Sequence, residues 1–275
     1  MEFVFDDRAV VLKGRQKVAL VVSDIHLGYE VELEQRGVHV PPQHVDMISR
    51  LESLIRVHAV DRLYIIGDIK HSILVDSSYN WEIVPEFMDT ISRITKTIII
   101  PGNHDGDLEA VLPRSVLLSN VMGTIFKDRE DKVGLIHGHA WPSQDVLECN
   151  VMVMGHNHPA IMRRKSVSAT DLGRPERIRS QASIPVILRS KLDRHCVCEK
   201  MGIEKQNIER TANLLILPSF NPLLTGIPIN RYDSKLQGPF YINGCIDFLN
   251  SDALSIEGLF LGKVKELREN NQRKH

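Results

Sequence analysis

Short apolar runs that end in polar residues recur along this chain and predict a layered sheet. The run at residues 18–22 does not alternate with polar positions, which is typical of a strand buried on both faces. The same pattern predicts further buried strands at residues 62–66, 97–100, 133–136 and 151–154. An earlier run over residues 2–12 predicts one more strand, followed by a turn at Lys13-Gly14-Arg15.

Two amphipathic helices are predicted between the first three buried strands. Apolar residues recur every three to four positions over residues 45–55 and again over residues 81–94. Pro41-Pro42 provides a rigid entry to the first helix. Strands and helices that alternate at this spacing predict an α/β layer architecture.

The five predicted buried strands all end in residue types that bind metal ions. In chain order the endings are Asp24-x-His26, Gly67-Asp68, Gly102-Asn103-His104-Asp105, His137-Gly138-His139 and Gly155-His156-Asn157-His158. A single Asp-x-His pair is weak evidence, because an ordinary strand end and turn can also carry it. Repetition at five successive ends argues against coincidence. We therefore expect these residues to meet at one sheet edge, where open α/β sheets place their ligands.

Side chains from these endings form a mixed oxygen and nitrogen ligand set: Asp24, His26, Asp68, Asn103, His137, His156 and His158. Such a set suits Mn, Fe, Co, Ni or Zn better than Mg or Ca, which prefer oxygen ligands alone. The groups are too many for one ion of four to six ligands, but they suit two ions about 3.5–4 Å apart that share a carboxylate. Asp68 is the candidate bridge, because it is the lone carboxylate at the second strand end.

Composition and charge narrow the class of protein. The chain has 275 residues, of which 43% are hydrophobic, enough for one large domain or one domain with an appendage. A formal net charge of -1 does not suggest a histone-like or acidic partner. No apolar run approaches the roughly 20 residues of a membrane-spanning helix, and the N-terminus lacks the pattern of a signal peptide. We expect a soluble, cytoplasmic protein with no membrane partner.

A basic interval interrupts the regular pattern late in the chain. Residues 163–210 contain 12 Lys and Arg against six Asp and Glu, with one strand-like run at residues 184–188. We expect the rest of this interval to be a loop or a partly ordered excursion, and its charge fits either a solvated face or a nucleic-acid groove. Its His195-Cys196-Val197-Cys198 is either a zinc-binding sequence or two ordinary thiols, and we expect the chain's four cysteines to be thiols in a reducing compartment.

In combination, the five strand-end blocks resemble the ordered motifs of the calcineurin-like metallophosphoesterases. The resemblance implies a four-layer α/β/β/α metallophosphoesterase sandwich, in a single domain over residues 1–275 with a basic insertion at about 163–210. It also implies two divalent metal ions. One would be held by Asp24, His26, Asp68 and His158, and the other by Asp68, Asn103, His137 and His156.

Two further stretches resemble the DNA-ligase-associated, or ICC-like, branch of these enzymes. They are Gly67-Asp68-Ile69-Lys70-His71 and the later residues 217–226. Bacterial members of that branch are linked with DNA repair genes and act as manganese-dependent nucleases. The resemblance therefore implies cleavage of DNA, and we expect the DNA to be single-stranded. It also implies Mn as the metal and repair proteins as partners. The alternatives are a phosphodiesterase or phosphomonoesterase of small molecules, such as a cyclic nucleotide, and a metal-stabilised binding module without catalysis.

The mechanism that the resemblance implies is in-line attack on phosphorus by a hydroxide held between two metal ions. Asp68 and Asn103 would serve as ligands at the reacting centre, and His104 would protonate the leaving oxygen. Retention of His104 argues against a module that only binds. Many relatives carry an acidic residue at the position of His71, where it orients the catalytic imidazole, so the partner of His104 is left open.

Other side chains near the strand ends have tentative roles. Lys70 or His71 would contact substrate phosphate. His139 would contact substrate, support His137 or simply occupy a turn. Asp105 would polarise His104 or cap a helix that begins near Asp107.

Overall fold

Two large sheets face each other in the structure and contain the predicted buried strands. The computed structural model describes residues 1–72, 78–166, 179–205 and 208–272. The first sheet has six strands that are neighbours in chain order: β1 (Glu2–Asp6), β2 (Ala9–Lys13), β3 (Val18–Ser23), β4 (Arg62–Ile66), β5 (Lys96–Ile100) and β6 (Leu117–Leu118). Strand β2 pairs antiparallel with both β1 and β3, whereas β3 to β6 are parallel.

The remaining strands belong to a second large sheet and a small one. They are β7 (Thr124–Asp128), β8 (Asp131–Ile136), β9 (Val151–Met154), β10 (Pro159–Ser166), β11 (Arg179–Pro185), β12 (Ile187–Asp193), β13 (Thr211–Ile216), β14 (Ile227–Pro228), β15 (Asp252–Leu254) and β16 (Phe260–Lys263). The second sheet has the order β16-β15-β12-β13-β9-β8-β7, and its strands β8, β9 and β13 are parallel. The small sheet has the order β11-β10-β14.

Most of the helices in the described ranges cover the outer faces of the two large sheets. The helices are α1 (Tyr29–Gln35), α2 (His44–Val57), α3 (Ser78–Ile94), α4 (Gln144–Leu147), α5 (Arg194–Met201), α6 (Pro239–Ile242) and α7 (Val264–Gln272), with a short 3-10 helix at Leu108–Ala110. The two helices predicted from periodicity correspond to α2 and α3. In the described ranges, no helix combines the length and the apolar character needed to cross a membrane.

Three buried apolar clusters define four layers. Leu51 of α2 and Phe87 of α3 pack on one face of the first sheet, where Leu20 of β3 points. The next residue, Val21, points to the opposite face and packs in the cluster between the sheets. A third cluster lies between the second sheet and α4 to α7. The four-layer α/β/β/α sandwich is therefore confirmed.

The prediction of one strand over residues 2–12 is wrong. Asp7 and Arg8 separate β1 from β2, and both have a left-handed backbone, with φ of 43° and 64°. Two consecutive residues with positive φ form the kind of turn that joins antiparallel strands. The run is therefore a hairpin.

The described part of the basic interval forms strands and a helix instead of the expected loop or partly ordered excursion. The strand-like run at 184–188 is divided between β11 and β12, and β12 is a central strand that pairs with β13 and β15. The guanidinium of buried Arg194 donates to main-chain carbonyls of Glu209, Glu148 and Thr211. This cation supports the fold instead of lining a groove. Residues 167–178 and 206–207 of the interval lie outside the described residues, and its interpretation as an insertion stays a prediction.

The cysteines also differ from expectation. Cys196 of α5 forms a disulfide with Cys245, so the prediction of four thiols is wrong for these two. Cys149 and Cys198 are free and buried in the apolar interior. Cys196 is therefore not available as a thiol to bind zinc. Cys196 and Cys198 both lie on helix α5 and not in a loop.

Candidate metal centre

The five ligand-bearing strand ends meet, but they come from two sheets. Strands β3, β4 and β5 belong to the first sheet, whereas β8 and β9 belong to the second. The expectation of one sheet edge is wrong in this respect, because the stacked sheets bring the carboxyl ends of both sets of parallel strands together. The site therefore lies where the two halves of the sandwich meet.

The backbone at these ends is in an unusual conformation. The φ angle is positive at Asp24 (56°), His26 (45°), Asp68 (48°), His156 (69°) and His158 (39°). Asp and His tolerate this left-handed region better than most residues, yet it typically costs on the order of 1–3 kcal/mol and is concentrated at functional sites. Space is also restricted, since a Cβ atom at Gly67 would lie 1.8 Å from Nδ1 of His137. The surrounding fold therefore holds the ligands in place.

The first group of candidate ligands consists of Asp24, His26 and His158, whose ligand atoms lie within 4.8 Å of one another. Nε2 of His158 is 3.0 Å from Oδ1 of Asp24. The Ser23 hydroxyl and the His156 amide both donate to the Asp24 carboxylate. Burial acts to raise the pKa of Asp24, but the nearby imidazoles of His158 and His137 hold that pKa below its usual value. The Asp24 carboxylate is therefore ionised, as a ligand for a divalent cation would be.

The second group consists of Asp68, His137 and His156. Nδ1 of His137 donates to the Ile66 carbonyl at 3.1 Å, so its Nε2 points into the site. Burial lowers the pKa of His156 to about 4, with the positive charge of His137 acting in the same direction. Burial alone would lower the pKa of His137, but the hydrogen bond to Asp68 and its charge raise it to about 9. Nε2 of His137 also lies 3.2 Å from Oδ1 of exposed Asn103, which joins this group.

Asp68 lies between the two groups. Its Oδ1 accepts the His104 amide at 2.9 Å. Its Oδ2 lies 3.5 Å from Nε2 of His26 and 3.5 Å from Nε2 of His137. One carboxylate oxygen therefore faces both groups, as a ligand shared by two ions would.

The donor set fits two divalent cations. Nε2 of His26 is buried and has no hydrogen-bond partner in the described part of the chain. A buried polar atom without a partner is costly, and a metal ion would satisfy it. All seven side chains predicted as ligands are assembled here, although their metal-binding roles stay predictions.

The His104 imidazole has a main-chain group as its hydrogen-bond partner. Nδ1 of His104 donates to the main-chain carbonyl of His71 at 2.6 Å, so a carbonyl replaces the acidic partner seen in many relatives.

Both roles expected for Asp105 are wrong. Its carboxylate accepts main-chain N–H groups of Ile69 and Gly102, each at 2.8 Å, and so joins the loops that follow β4 and β5. Burial raises the pKa of Asp105 to about 6, and the charge of Asp68 acts in the same direction.

The three side chains with tentative substrate roles lie in different surroundings. Lys70 is fully buried and its Nζ donates to the Gly106 carbonyl at 2.6 Å, which corrects the expectation that it faces a substrate phosphate. His71 uses Nε2 to contact Glu32, and its Nδ1 lies 3.3 Å from Nδ1 of His26. Both of its ring nitrogens therefore have partners within the chain, and its contact with substrate phosphate stays a prediction. His139 is half-buried beside His137, with ring centroids 5.1 Å apart, and its role stays a prediction.

Sequence reasoning did not assign roles to three residues that support the site. The Ser219 hydroxyl donates to the Asp24 carbonyl at 2.6 Å. The Asn221 amide donates to the carbonyls of Ile25 and His26, at 3.0 and 3.2 Å. Both residues lie in the 217–226 stretch that the branch resemblance had singled out. Glu32, the third residue, carried no signal, since a carboxylate on a short helix usually faces solvent.

The chain is similar to a known protein family and to solved structures. A family model described as calcineurin-like phosphoesterase matches residues 18–179. The structure of Pseudomonas putida nuclease MPE is similar at 20% identity, covering 81% of this chain and 83% of that chain, with a TM-score of 0.46. No curated protein matches the chain.

Two further solved structures show weaker similarity. Yfce, a phosphoesterase from E. coli, has 17% identity over 54% of this chain and 73% of that chain, with a TM-score of 0.35. The Aquifex aeolicus protein AQ665, described as a protein of unknown function, has 18% identity over 51% of this chain and 78% of that chain, with a TM-score of 0.36.

Proposed function

The chain belongs to the calcineurin-like phosphoesterase family and is a hydrolase of phosphoester bonds, and we propose that it is a dinuclear manganese nuclease that cuts single-stranded DNA. The observation that carries the dinuclear part is the position of Asp68 Oδ2, 3.5 Å from an imidazole nitrogen of each ligand group. The DNA part is supported by the motifs at 67–71 and 217–226. Repair proteins are the partners that the same motifs suggest.

The residues present suit a pair of divalent cations. Asp24, His26, Asp68 and His158 would hold one, and Asp68, Asn103, His137 and His156 would hold the other. Mixed imidazole and oxygen donors suit Mn, Fe, Zn, Ni and Co. We propose Mn because the branch that the motifs at 67–71 and 217–226 resemble uses it. When bound, such cations supply positive charge that lowers the pKa of water and offsets charge on phosphate oxygens.

His104 is the proposed general acid. Because its Nδ1 donates to the His71 carbonyl, its Nε2 is the nitrogen left to exchange a proton with a substrate. The ring lies beside the first ligand group, with its centroid 5.0 Å from that of His26. In that position it would protonate the oxygen that leaves phosphorus. His139, beside the second group, is a proposed substrate contact.

Local charge supports a limited DNA contact. Strand β10 begins directly after the ligand His158, and its exposed Arg163 is available to a phosphate backbone. Farther along the basic interval, Arg189 pairs with Asp252 and Arg210 pairs with Asp193. Those cations already have carboxylate partners within the chain, so we propose the DNA contact near β10.

A phosphoesterase of small molecules is the second candidate. A cavity of about 430 Å³ adjoins His104 and is lined in part by Val31 and Tyr79. That volume is within the range of small-molecule sites. A nucleotide or other small phosphoester would fit such a space, whereas a long strand needs an open path.

The test is an assay of metal-stripped protein to which Mn²⁺ is returned. Substrates would be circular and linear single-stranded DNA, duplex DNA, and aryl phosphodiester and monoester compounds. Asp68→Asn removes the proposed bridge, and Asp233→Asn, on an exposed residue paired with Arg231, is the matched control. Cleavage of single-stranded DNA that is lost only in Asp68→Asn supports the proposal, and cleavage of the circle identifies endonuclease action.

Two results would overturn the nuclease proposal. Turnover of the aryl compounds without DNA cleavage would favour a small-molecule substrate. Binding of two Mn²⁺ without turnover of DNA, diester or monoester would contradict both candidate substrates.

A further inference from the structure

A row of three side chains leads from the surface helix α1 to the candidate ligand His26. Glu32 of α1 accepts a hydrogen bond from Nε2 of His71. Nδ1 of His71 then lies 3.3 Å from Nδ1 of His26. We propose that Glu32 and His71 are positioning residues that fix the tautomer and orientation of His26 for metal binding. The proposal rests on the dinuclear centre proposed above.

The positions of the protons follow from the contacts. For Nε2 of His26 to bind a metal it must carry no proton, so the proton of the neutral ring lies on Nδ1. That N–H needs an acceptor, and the atom facing it is Nδ1 of His71. His71 can accept there only if its own proton lies on Nε2, where the Glu32 carboxylate accepts it. Each contact in the row therefore requires the next.

Glu32 is itself held in place. Its Oε2 faces His71, and its Oε1 lies 2.5 Å from Nη2 of Arg36, one helical turn farther along. The neighbouring guanidinium favours the ionised carboxylate, which only accepts hydrogen bonds. The side chains of His71 and His26 are largely buried, with 18% and 4% of their surfaces exposed, so water competes little for these contacts.

The arrangement differs from that of the other buried ligand histidine. His137 donates Nδ1–H to the main-chain carbonyl of Ile66, which is held by the sheet. For His26 the acceptor is a side chain, which can be replaced by mutation. Mutation of a side chain that orients a metal ligand, without binding the metal itself, typically lowers metal affinity by about 10- to 100-fold. Since His26 is a proposed ligand of only one of the two ions, the row should act on one of the two metal sites.

The first experiment measures binding of Mn²⁺ to the metal-stripped full chain by calorimetry and of Co²⁺ by visible absorption. Glu32→Ala and His71→Ala are each expected to weaken metal binding at one site and so to raise one of the two dissociation constants about 10- to 100-fold. Glu34→Ala is the matched control, because Glu34 lies on the same helix and contacts exposed His39. It should leave both constants unchanged. Thermal melting of the metal-free proteins would show that each variant is folded.

Rescue separates positioning from a general structural role. In His71→Asn, the carboxamide oxygen can accept from Nδ1–H of His26 without help from Glu32. This variant is expected to recover most of the affinity lost in His71→Ala, and Glu32→Ala added to it should have little further effect. The His71 carbonyl that contacts His104 is unchanged in all of these variants.

The outcomes distinguish this proposal from the proposed function. If the wild-type protein does not bind two Mn²⁺ ions, the dinuclear centre fails. If it binds two and Glu32→Ala changes neither constant, or weakens both equally, only the positioning role is overturned. Failure of His71→Asn to restore affinity would also overturn it.

Discussion

At the residue scale, the histidines of the candidate centre differ in what their Nδ1 atoms contact. His137 and His104 donate to the main-chain carbonyls of Ile66 and His71, whereas His26 faces the imidazole of His71. In each case Nε2 is left for a metal or a substrate. Main-chain carbonyls cannot be removed by substitution, so His26 is the member of this set whose orientation depends on side chains.

The proposed acid role of His104 leads to a prediction about leaving groups. His104→Ala should lower kcat on DNA about 10²–10⁴-fold, because the departing sugar oxygen needs a proton. A nitrophenolate leaving group needs no proton, so kcat on an aryl phosphodiester should fall much less. Steady-state kinetics on both substrates, with Mn²⁺ content measured in each preparation, would test this.

The metal content is the control for that experiment. His104 is not among the proposed ligands, so its variant should retain two ions. An equal loss of kcat on both substrates at full metal content would contradict the role of general acid.

At the element scale, the segment after β13 closes over the loop that carries Asp24 and His26. Asn221 is fully buried, and its amide donates to two carbonyls of that loop. The guanidinium of Arg50, from α2, lies 4.2 Å from the ring centroid of Phe220 and donates to the Phe220 carbonyl. The segment thus links the helical layer to the strained turn at the end of β3.

Asn221→Ala is expected to destabilise the protein and weaken metal binding. The Ile25 carbonyl would lose its donor, whereas the His26 carbonyl would keep the Tyr29 amide. Leaving a buried carbonyl unpaired costs about 1–3 kcal/mol. Urea denaturation of the metal-free protein would measure the change in the free energy of unfolding, and Mn²⁺ titration would measure the affinity. Asn250→Ala, at an exposed site, should change the free energy of unfolding by less than about 0.5 kcal/mol. Equal stability of the two variants would refute the assigned role of Asn221.

At the scale of the whole molecule, the two sheets contribute different parts of the centre. The first sheet carries Asp24, His26, Asp68 and Asn103, and the second carries His137, His156 and His158. The proposed ligand set is complete only when the sheets are packed together through their shared apolar cluster. Metal binding is therefore coupled to the folding of both sheets.

The disulfide belongs to the outer layer of the second sheet and should contribute to global stability. Cys196 and Cys245 are 49 residues apart, and a cross-link that closes a loop of this length typically stabilises by about 2–4 kcal/mol. Cys196→Ser with Cys245→Ser should lower the free energy of unfolding in urea by that amount, while Mn²⁺ stoichiometry is unchanged. Wild-type protein treated with reductant should match the variant. Unfolding that is insensitive to reductant would contradict the cross-link.

The sequence by itself determined the buried strands β3, β4, β5, β8 and β9, the helices α2 and α3, and the residue types at the strand ends. Those features depend on local periodicity and on turn chemistry, which are written in neighbouring residues. The prediction of a single strand from the local pattern was wrong at Asp7-Arg8, where a tight turn interrupts an apolar run.

Only the tertiary structure decided which distant groups meet. It placed the strand ends of two sheets together, buried the ammonium of Lys70 against Gly106, and paired Cys196 with Cys245. It also brought Glu32 to His71, 39 residues away, and His71 to His26, 45 residues away. Such contacts depend on how whole layers pack, and no pattern among neighbouring residues specifies them.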